Sequence, residues 1–435
     1  MKVIGQITDY IPERELYEMK RYKVIVIGGG PSGTMAALSL AHLRPELAGD
    51  ILLLEAKSFP REKICGGAVC GRAMGFLDEL GVSLEGIPRV PVKGMDLRFE
   101  DERYSAPFGH DNNYVVRRSV FDCLLLDRVR ERNVEVKTAA RAIGAYRDKG
   151  GMAVIDRTHT VYHTDCIVAA DGVNGRSRTW FGVPHRGRKT ILLQADIPRN
   201  PDSELLQDSL MMDFSPTLFG HPGYVWFFPS VGEEGEPVVN TGISGGENGR
   251  HNIMKLKEIF CTILERYPEI RSMAPETIRF KQYQERDFPF FQPRCQERVL
   301  FVGEQLGIDS FAGEGLSICA ESAMAAAQEI IRALDCGDFS FKGYAGRLRD
   351  GDFFPLLLPG KIFWRSRFGK RPPLALPIAV WKPSEEKDSL MELYTRLFSG
   401  DLPGDFVYSY YNLKTDIART LGYIWHSLSE KSPTA

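Results

Sequence analysis

The chain predicts an α/β fold: a doubly wound, mostly parallel nucleotide-binding sheet, interrupted in sequence by an antiparallel sheet and followed by a helical lobe. Three observations carry this. A strand, a glycine turn, a helix and a second strand follow one another from Lys23 to Glu55. Between about 185 and 290 the texture changes to alternating apolar and polar residues broken by Gly, Pro and Asn. The buried-strand pattern then returns at Val299-Leu300-Phe301-Val302. It leads through Gly303 into a helical stretch, 314–334, with five alanines from Ala320 to Ala327.

The first unit is the most informative. Val24-Ile25-Val26-Ile27 is apolar on both faces, as a buried parallel strand requires. It runs into Gly28-Gly29-Gly30-Pro31-Ser32-Gly33, which satisfies G-x-G-x-x-G. Gly28 permits the tight turn, Gly30 lets backbone approach a pyrophosphate, and Gly33 lets the helix pack on the strand. The helix that follows, with Met35, Ala36, Ala37, Leu38, Leu40 and Ala41, offers its N–H groups and positive dipole end to phosphate from Ser32 onward. Ile51-Leu52-Leu53-Leu54 is the second strand, and Glu55 at its end, beside Ala56, suits a ribose diol.

Composition narrows the class. A chain of 435 residues with a net charge of −2 is ordinary for a soluble multidomain protein, and nothing global points to nucleic acid. The segment 1–22 carries Asp9, Glu13, Glu15 and Glu18 and has no apolar core, so no signal peptide is expected. No run reaches the ~18 apolar residues of a spanning helix. Eight cysteines without a C-x-x-C fit neither a disulfide framework nor a zinc site, so no metal is expected and the default compartment is cytoplasmic.

The expected organisation is a peripheral arm over 1–22, a first part of the nucleotide domain over 23–184, a substrate domain built on an antiparallel sheet over 185–294, the nucleotide domain resumed over 295–338, and a helical lobe over 339–435. Within the first part, Asp122 to Arg132 reads as an amphipathic helix with Leu124, Leu125, Leu126 and Val129. Cys166-Ile167-Val168-Ala169-Ala170 reads as a buried strand ending at Asp171-Gly172.

Three segments make the chain resemble the FAD-dependent oxidoreductases of the p-hydroxybenzoate hydroxylase fold. Asp171-Gly172-Val173-Asn174-Gly175-Arg176-Ser177-Arg178 is similar to a D-G-x-x-S-x-x-R segment, with Gly175 in place of the usual serine. Gly303-Glu304-Gln305-Leu306-Gly307 and Ala312-Gly313-Glu314-Gly315-Leu316 resemble the G-D…G-E-G segment. The resemblance implies that its acid binds the flavin ribityl chain and that Gly313, Gly315 and Leu316 approach the ring system. Glu304 stands where aspartate is usual and reaches about one C–C bond further, ~1.5 Å. Pro222-Gly223-Tyr224-Val225-Trp226-Phe227-Phe228-Pro229 matches the P-x-Y-x-W-x-F-P signature of geranylgeranyl reductases, the family this chain resembles most. Strand alternation puts Tyr224, Trp226 and Phe228 on one face, an aromatic wall suited to an apolar chain.

Two shorter segments belong to the same resemblance. Arg61-Glu62-Lys63-Ile64-Cys65-Gly66-Gly67 is similar to a K-x-C-G segment placed near the flavin. Arg118-Ser119-Val120-Phe121-Asp122 resembles an R-x-x-F-D whose arginine lies along the cofactor. The resemblance covers roughly 23–335. It implies FAD as cofactor, held by Gly28, Gly30, Ser32, Gly33, Glu55, Ala56, Gly66, Arg118, Asp171, Gly172, Gly303, Glu304, Gly313, Gly315 and Leu316. The activity it implies is reduction of carbon–carbon double bonds in a prenyl chain, with Cys65, Tyr224 and Trp226 at the chemistry and Phe228 beside them on the substrate.

An isolated alkene has no carbonyl to polarise it, so a proton must arrive while reduced flavin supplies hydride. Cys65 is the titratable residue in place for this or for substrate positioning, with Arg61 and Lys63 nearby to favour its thiolate. Gly245-Gly246-Glu247-Asn248-Gly249 reads as a turn, so no second dinucleotide site for NAD(P)H is visible; the donor, NAD(P)H or a ferredoxin-like protein, stays open. A monooxygenase of the same fold is the first alternative, and a flavin-free protein that keeps only the fold is the second. The W-x-W-x-I-P tryptophan pair of the halogenases is not present. Apolar residues from Phe353 to Trp381, with Arg365, Arg367, Lys370 and Arg371 among them, suit either a lobe packed on the substrate domain or peripheral contact with the inner face of a membrane.

Overall fold

The computed structural model describes residues 20–351 and 357, apart from 110, 202, 204, 222, 246–249, 290 and 309–312. Residues 1–19 of the arm expected over 1–22, the segment 353–381 apart from Leu357, and the remainder of the expected C-terminal lobe beyond it lie outside the described residues, and Arg21 and Tyr22 belong to a strand.

The strand Arg21–Ile27 lies inside an eight-stranded sheet because Val24 to Ile27 are apolar on both faces. It pairs in parallel with Ile51–Leu54 on one side and Val161–Ala169 on the other, with Val26 opposite both Leu53 and Val168. Glu135–Lys137 and Val299–Phe301 extend the parallel run outward. The sheet is therefore interrupted in sequence, as expected: residue 299 returns to pair beside 161–169. A hairpin of Ala142–Asp148 and Gly151–Asp156 adds antiparallel strands next to Val161–Ala169. Helix Pro31–Leu43 packs against helix Gly315–Cys336. Small residues on both, among them Ala36, Ala37, Ala323, Ala326 and Ala327, are wholly buried and let the two backbones approach.

The second sheet has seven strands, in the order Lys281–Arg286, Lys189–Pro198, Pro237–Ser244, Val225–Val231, Ser209–Asp213, Gly94–Phe99 and Glu102–Pro107. This corrects the sequence reading in three respects. The last two strands come from the stretch assigned whole to the nucleotide domain, so the division at 184 does not follow the sheets. Ser209–Asp213 pairs in parallel with Gly94–Phe99, so the sheet is mixed. Its outer face is covered by helix Arg250–Leu264, where only strands and turns were expected. The helix was legible: Leu256, Ile259, Phe260 and Ile263 recur at spacings of three and four and pack with Val225, Phe227, Val239 and Ile243. Each such side chain contributes about 1.5–3 kcal/mol on burial.

The opposite face of this sheet carries Tyr224, Trp226 and Phe228, packed with Leu192, Leu210 and Met212. Period-two alternation thus splits one strand between two jobs: Val225 and Phe227 seal the domain, and the aromatic set faces inward to the first sheet.

Candidate active site

A cavity of about 540 Å³ is bounded by the carboxyl ends of Arg21–Ile27, Ile51–Leu54 and Val161–Ala169 and by the aromatic face of the second sheet. Ligands of open α/β sheets bind at that end of the strands. Gly28, Gly30, Ser32, Glu55, Ala56, Gly66, Arg118, Asp171, Gly172, Glu304, Gly313, Gly315 and Leu316 all line it, and so do Cys65, Tyr224, Trp226 and Phe228. Gly33 and Gly303 do not line it. A Cβ on Gly33 would overlap the Gly28 carbonyl oxygen, and one on Gly303 would overlap Ser32 Oγ, so both glycines set packing behind the wall.

At one end, Gly28 takes φ +111°, and a Cβ there would run into the Ala170 carbonyl. Gly30 is different: its Cβ would meet only the Arg61 guanidinium, at 3.3 Å, so the space in front of it is open. Gly30 precedes helix Pro31–Leu43, which no side chain caps. The positive helix end and its first N–H groups are thereby turned toward the cavity. Glu55, 6% exposed, accepts from Gly29 N–H and Lys57 N–H, both at 2.7 Å. It therefore clamps the glycine turn to the second strand as well as facing the cavity.

Asp171 folds onto its own loop, accepting from the Ser177 N–H at 2.9 Å and the Ser177 hydroxyl at 2.6 Å. Burial raises its carboxyl above the ordinary range, against the pull of those bonds. Glu304 accepts from Val173 N–H at 2.8 Å and lies 3.6 Å from Lys63 Nζ and 3.4 Å from the Tyr283 hydroxyl. Lys63 Nζ also stands 3.1 Å over the Tyr283 ring. Burial alone would lower the Lys63 ammonium, but Glu304 and Tyr283 outweigh it and hold the group above its ordinary value. Burial and the Glu304 charge raise the Tyr283 phenol in turn.

The cations near Cys65 differ from the sequence expectation. Arg61 is 3.4 Å from Asp122, and Lys63 is committed to Glu304. The cation whose charge couples to Cys65 is Arg118, which holds Asp122 through its Nε at 2.8 Å. Burial opposes its charge, yet Asp122 and Cys65 raise the guanidinium overall. Lys63, Tyr283 and Asn240 line or support the site without having been singled out as site residues. Tyr283 sits on an edge strand, and Asn240 lies within an ordinary apolar run, so neither carries a local motif.

At the other end, Tyr224 and Trp226 stand edge to face with ring centroids 6.4 Å apart. Trp226 lies over Gly242, its register partner, where any side chain would overlap the indole. Gly66 presses on the wall: a Cβ there would come 2.8 Å from Phe228 Cε2. Pro222, at the head of the aromatic signature, lies outside the described residues. All eight cysteines are free, and no cluster among the described residues could hold a metal. Among the described residues no helix is long and apolar enough to cross a membrane.

The family model for an FAD binding domain matches residues 21–221. A digeranylgeranylglycerophospholipid reductase from Thermoplasma acidophilum is 25% identical over 338 residues, covering 74% of this chain and 81% of that one. A geranylgeranyl bacteriochlorophyll reductase-like protein from the same organism superposes with a TM-score of 0.72 at 22% identity, covering 91% of this chain and 100% of the other. A flavin-dependent brominase superposes with a TM-score of 0.67 at 17% identity, covering 87% of this chain and 94% of its own. The chain is an FAD-dependent oxidoreductase similar to geranylgeranyl-type reductases, and its cofactor is FAD. The open space before Gly30, the uncapped helix end and the Glu304 carboxylate are the features that fit it.

Proposed function

We propose that the protein reduces carbon–carbon double bonds in a prenyl chain. The observation that carries this is the continuity of one cavity from the Gly28–Ser32 turn and Glu304 to the Tyr224–Trp226–Phe228 wall. Reduced FAD supplies hydride. The protein's residues do the rest. Gly28, Gly30 and Ser32 receive the phosphates, Glu55 the adenosine ribose and Glu304 the ribityl hydroxyls. The aromatic wall holds an apolar chain and excludes water, so that a double bond stays within reach.

The second hydrogen must arrive as a proton, and we assign its delivery to Cys65 Sγ, because Cys65 lines the cavity beside Gly66, which rests against Phe228. Arg118 places a positive charge beside that thiol, and Asp122 fixes Arg118. The named relative supports a prenyl-lipid substrate class. The test is anaerobic: dithionite-reduced holoenzyme is mixed with geranylgeraniol, its diphosphate or a geranylgeranylated glycerophospholipid. Flavin reoxidation with formation of the saturated product is expected. Substrate turnover only on admitting oxygen would instead establish the monooxygenase.

A further inference from the structure

Asn240 joins the two halves of the site. It sits on strand Pro237–Ser244 opposite Phe228, so its side chain shares the inward face with Phe228 and, diagonally, with Trp226. Its Oδ1 accepts from the Trp226 indole at 3.0 Å, and its Nδ2 donates to the Cys65 carbonyl at 2.9 Å. A carboxamide is the side chain that can accept at one atom and donate at its neighbour in so short a reach. Asn240 is 8% exposed, so both bonds form away from bulk water. Next along the chain, Gly66 rests against Phe228.

We propose that Asn240 is the positioning residue that sets Cys65 relative to the aromatic wall. The inference rests on the proposed function for its catalytic meaning, although the linkage itself does not. Cys65 is on a loop, and a loop residue keeps a fixed distance from a strand only if something ties its backbone there. Arg118, whose charge couples to Cys65, belongs to the first domain. Asn240 supplies the tie to the second, so the gap between Sγ and the indole stays constant as the domains breathe.

Two variants test this. Asn240→Leu keeps the shape and removes both bonds. Asn240→Asp, studied at pH 8, keeps an acceptor for the indole and sets an oxygen against the Cys65 carbonyl. The measurements on holoenzyme are the iodoacetamide alkylation rate of Cys65, read by mass spectrometry against the other seven cysteines, the Trp226 emission maximum with the other tryptophans as background, and anaerobic reoxidation by geranylgeraniol. In Asn240→Asp, Cys65 alkylation should rise and reoxidation fall by about tenfold, roughly the worth of one hydrogen bond, with emission near wild type and a lowered thermal midpoint, because a carboxylate then faces a carbonyl in a buried site. Asn240→Leu should also shift the emission. Cys65 alkylation equal to wild type in Asn240→Asp overturns the proposal, whatever happens to stability. Wild-type enzyme that never reoxidises with prenyl substrate defeats the proposed function alone, because the alkylation comparison still decides the role of Asn240.

Discussion

Gly175 stands directly over the carboxylate of Asp171: a Cβ at residue 175 would overlap Asp171 Cγ and the side-chain amide of Gln305. The departure from the usual serine therefore has a local cause. Asp171 is turned inward onto Ser177, and the backbone at 175 must pass close above it.

Gly175→Ser should accordingly be destabilising rather than restorative. Overpacking of a buried contact costs about 1–3 kcal/mol. The midpoint of urea unfolding of the variant checks this; a value equal to wild type would mean that the loop moves aside freely and that the Asp171–Ser177 bonds do not fix it.

Gly30 and Gly33 should fail in opposite ways. Gly30→Val has only the flexible Arg61 side chain to displace, so the protein should remain folded while losing FAD. Gly33→Ala drives a methyl into the Gly28 carbonyl and should lower stability first. Circular dichroism together with FAD released on heating separates the two; retention of FAD by Gly30→Val would remove the glycine turn from the cofactor site.

The parallel sheet and the glycine turn were legible because runs such as Val24–Ile27 and Val299–Val302 are apolar on both faces and each leads into its turn. The shared face of Tyr224, Trp226 and Phe228 was legible from alternation. Three things were not. Strands Gly94–Phe99 and Glu102–Pro107 join the second sheet through a parallel pairing with Ser209–Asp213, and long-range pairing leaves no local mark. Tyr283 and Asn240 act through neighbours from distant segments, Lys63 with Glu304 and Cys65 with Trp226. The choice of Arg118 over Arg61 at Cys65 depends on where Asp122 lies, which sequence distance does not reveal.

Glu304→Ala should weaken FAD binding by about 10–100-fold, the range expected when charge-assisted hydrogen bonds of about 1.5–3 kcal/mol are lost. Glu304→Asp retains the charge but not the reach and should fall between. Equilibrium titration of apoprotein gives the three constants. If the alanine variant binds as tightly as wild type, Glu304 serves only its contacts within the protein, with Val173, Lys63 and Tyr283.

His185 gives the stability a pH dependence of known sign. Burial, with Arg286, Arg178 and Lys189 adding to it, lowers its pKa from 6.5 to about 4. Between those values the unfolded chain holds the proton and the folded chain does not, so stability rises with pH across this window and is lost as pH falls through it. His185→Gln should flatten the thermal midpoint against pH between 4 and 6.5; an unchanged slope would show that His185 is charged in the fold.

Trp226 decides whether the aromatic wall is a substrate surface or ordinary core. It is 3% exposed and packs with Leu192 and Met212, yet it also lines the cavity, so truncation has two possible costs. Trp226→Ala would remove packing worth about 3–5 kcal/mol in a closed core. Trp226→Phe keeps most of that packing and gives up the indole bond to Asn240 and part of the surface over Gly242. If the wall holds a prenyl chain, Trp226→Phe should retain FAD, be reduced normally by dithionite, and reoxidise far more slowly with geranylgeraniol. A displacement near 1 Å from productive geometry is enough to cost on the order of a hundredfold. If the residue is core alone, the phenylalanine variant should reoxidise at the wild-type rate, and the alanine variant should lose stability and flavin together. Thermal midpoint, flavin occupancy and anaerobic reoxidation on the two variants give distinct patterns, and a stable phenylalanine variant with wild-type reoxidation would remove Trp226 from the substrate site.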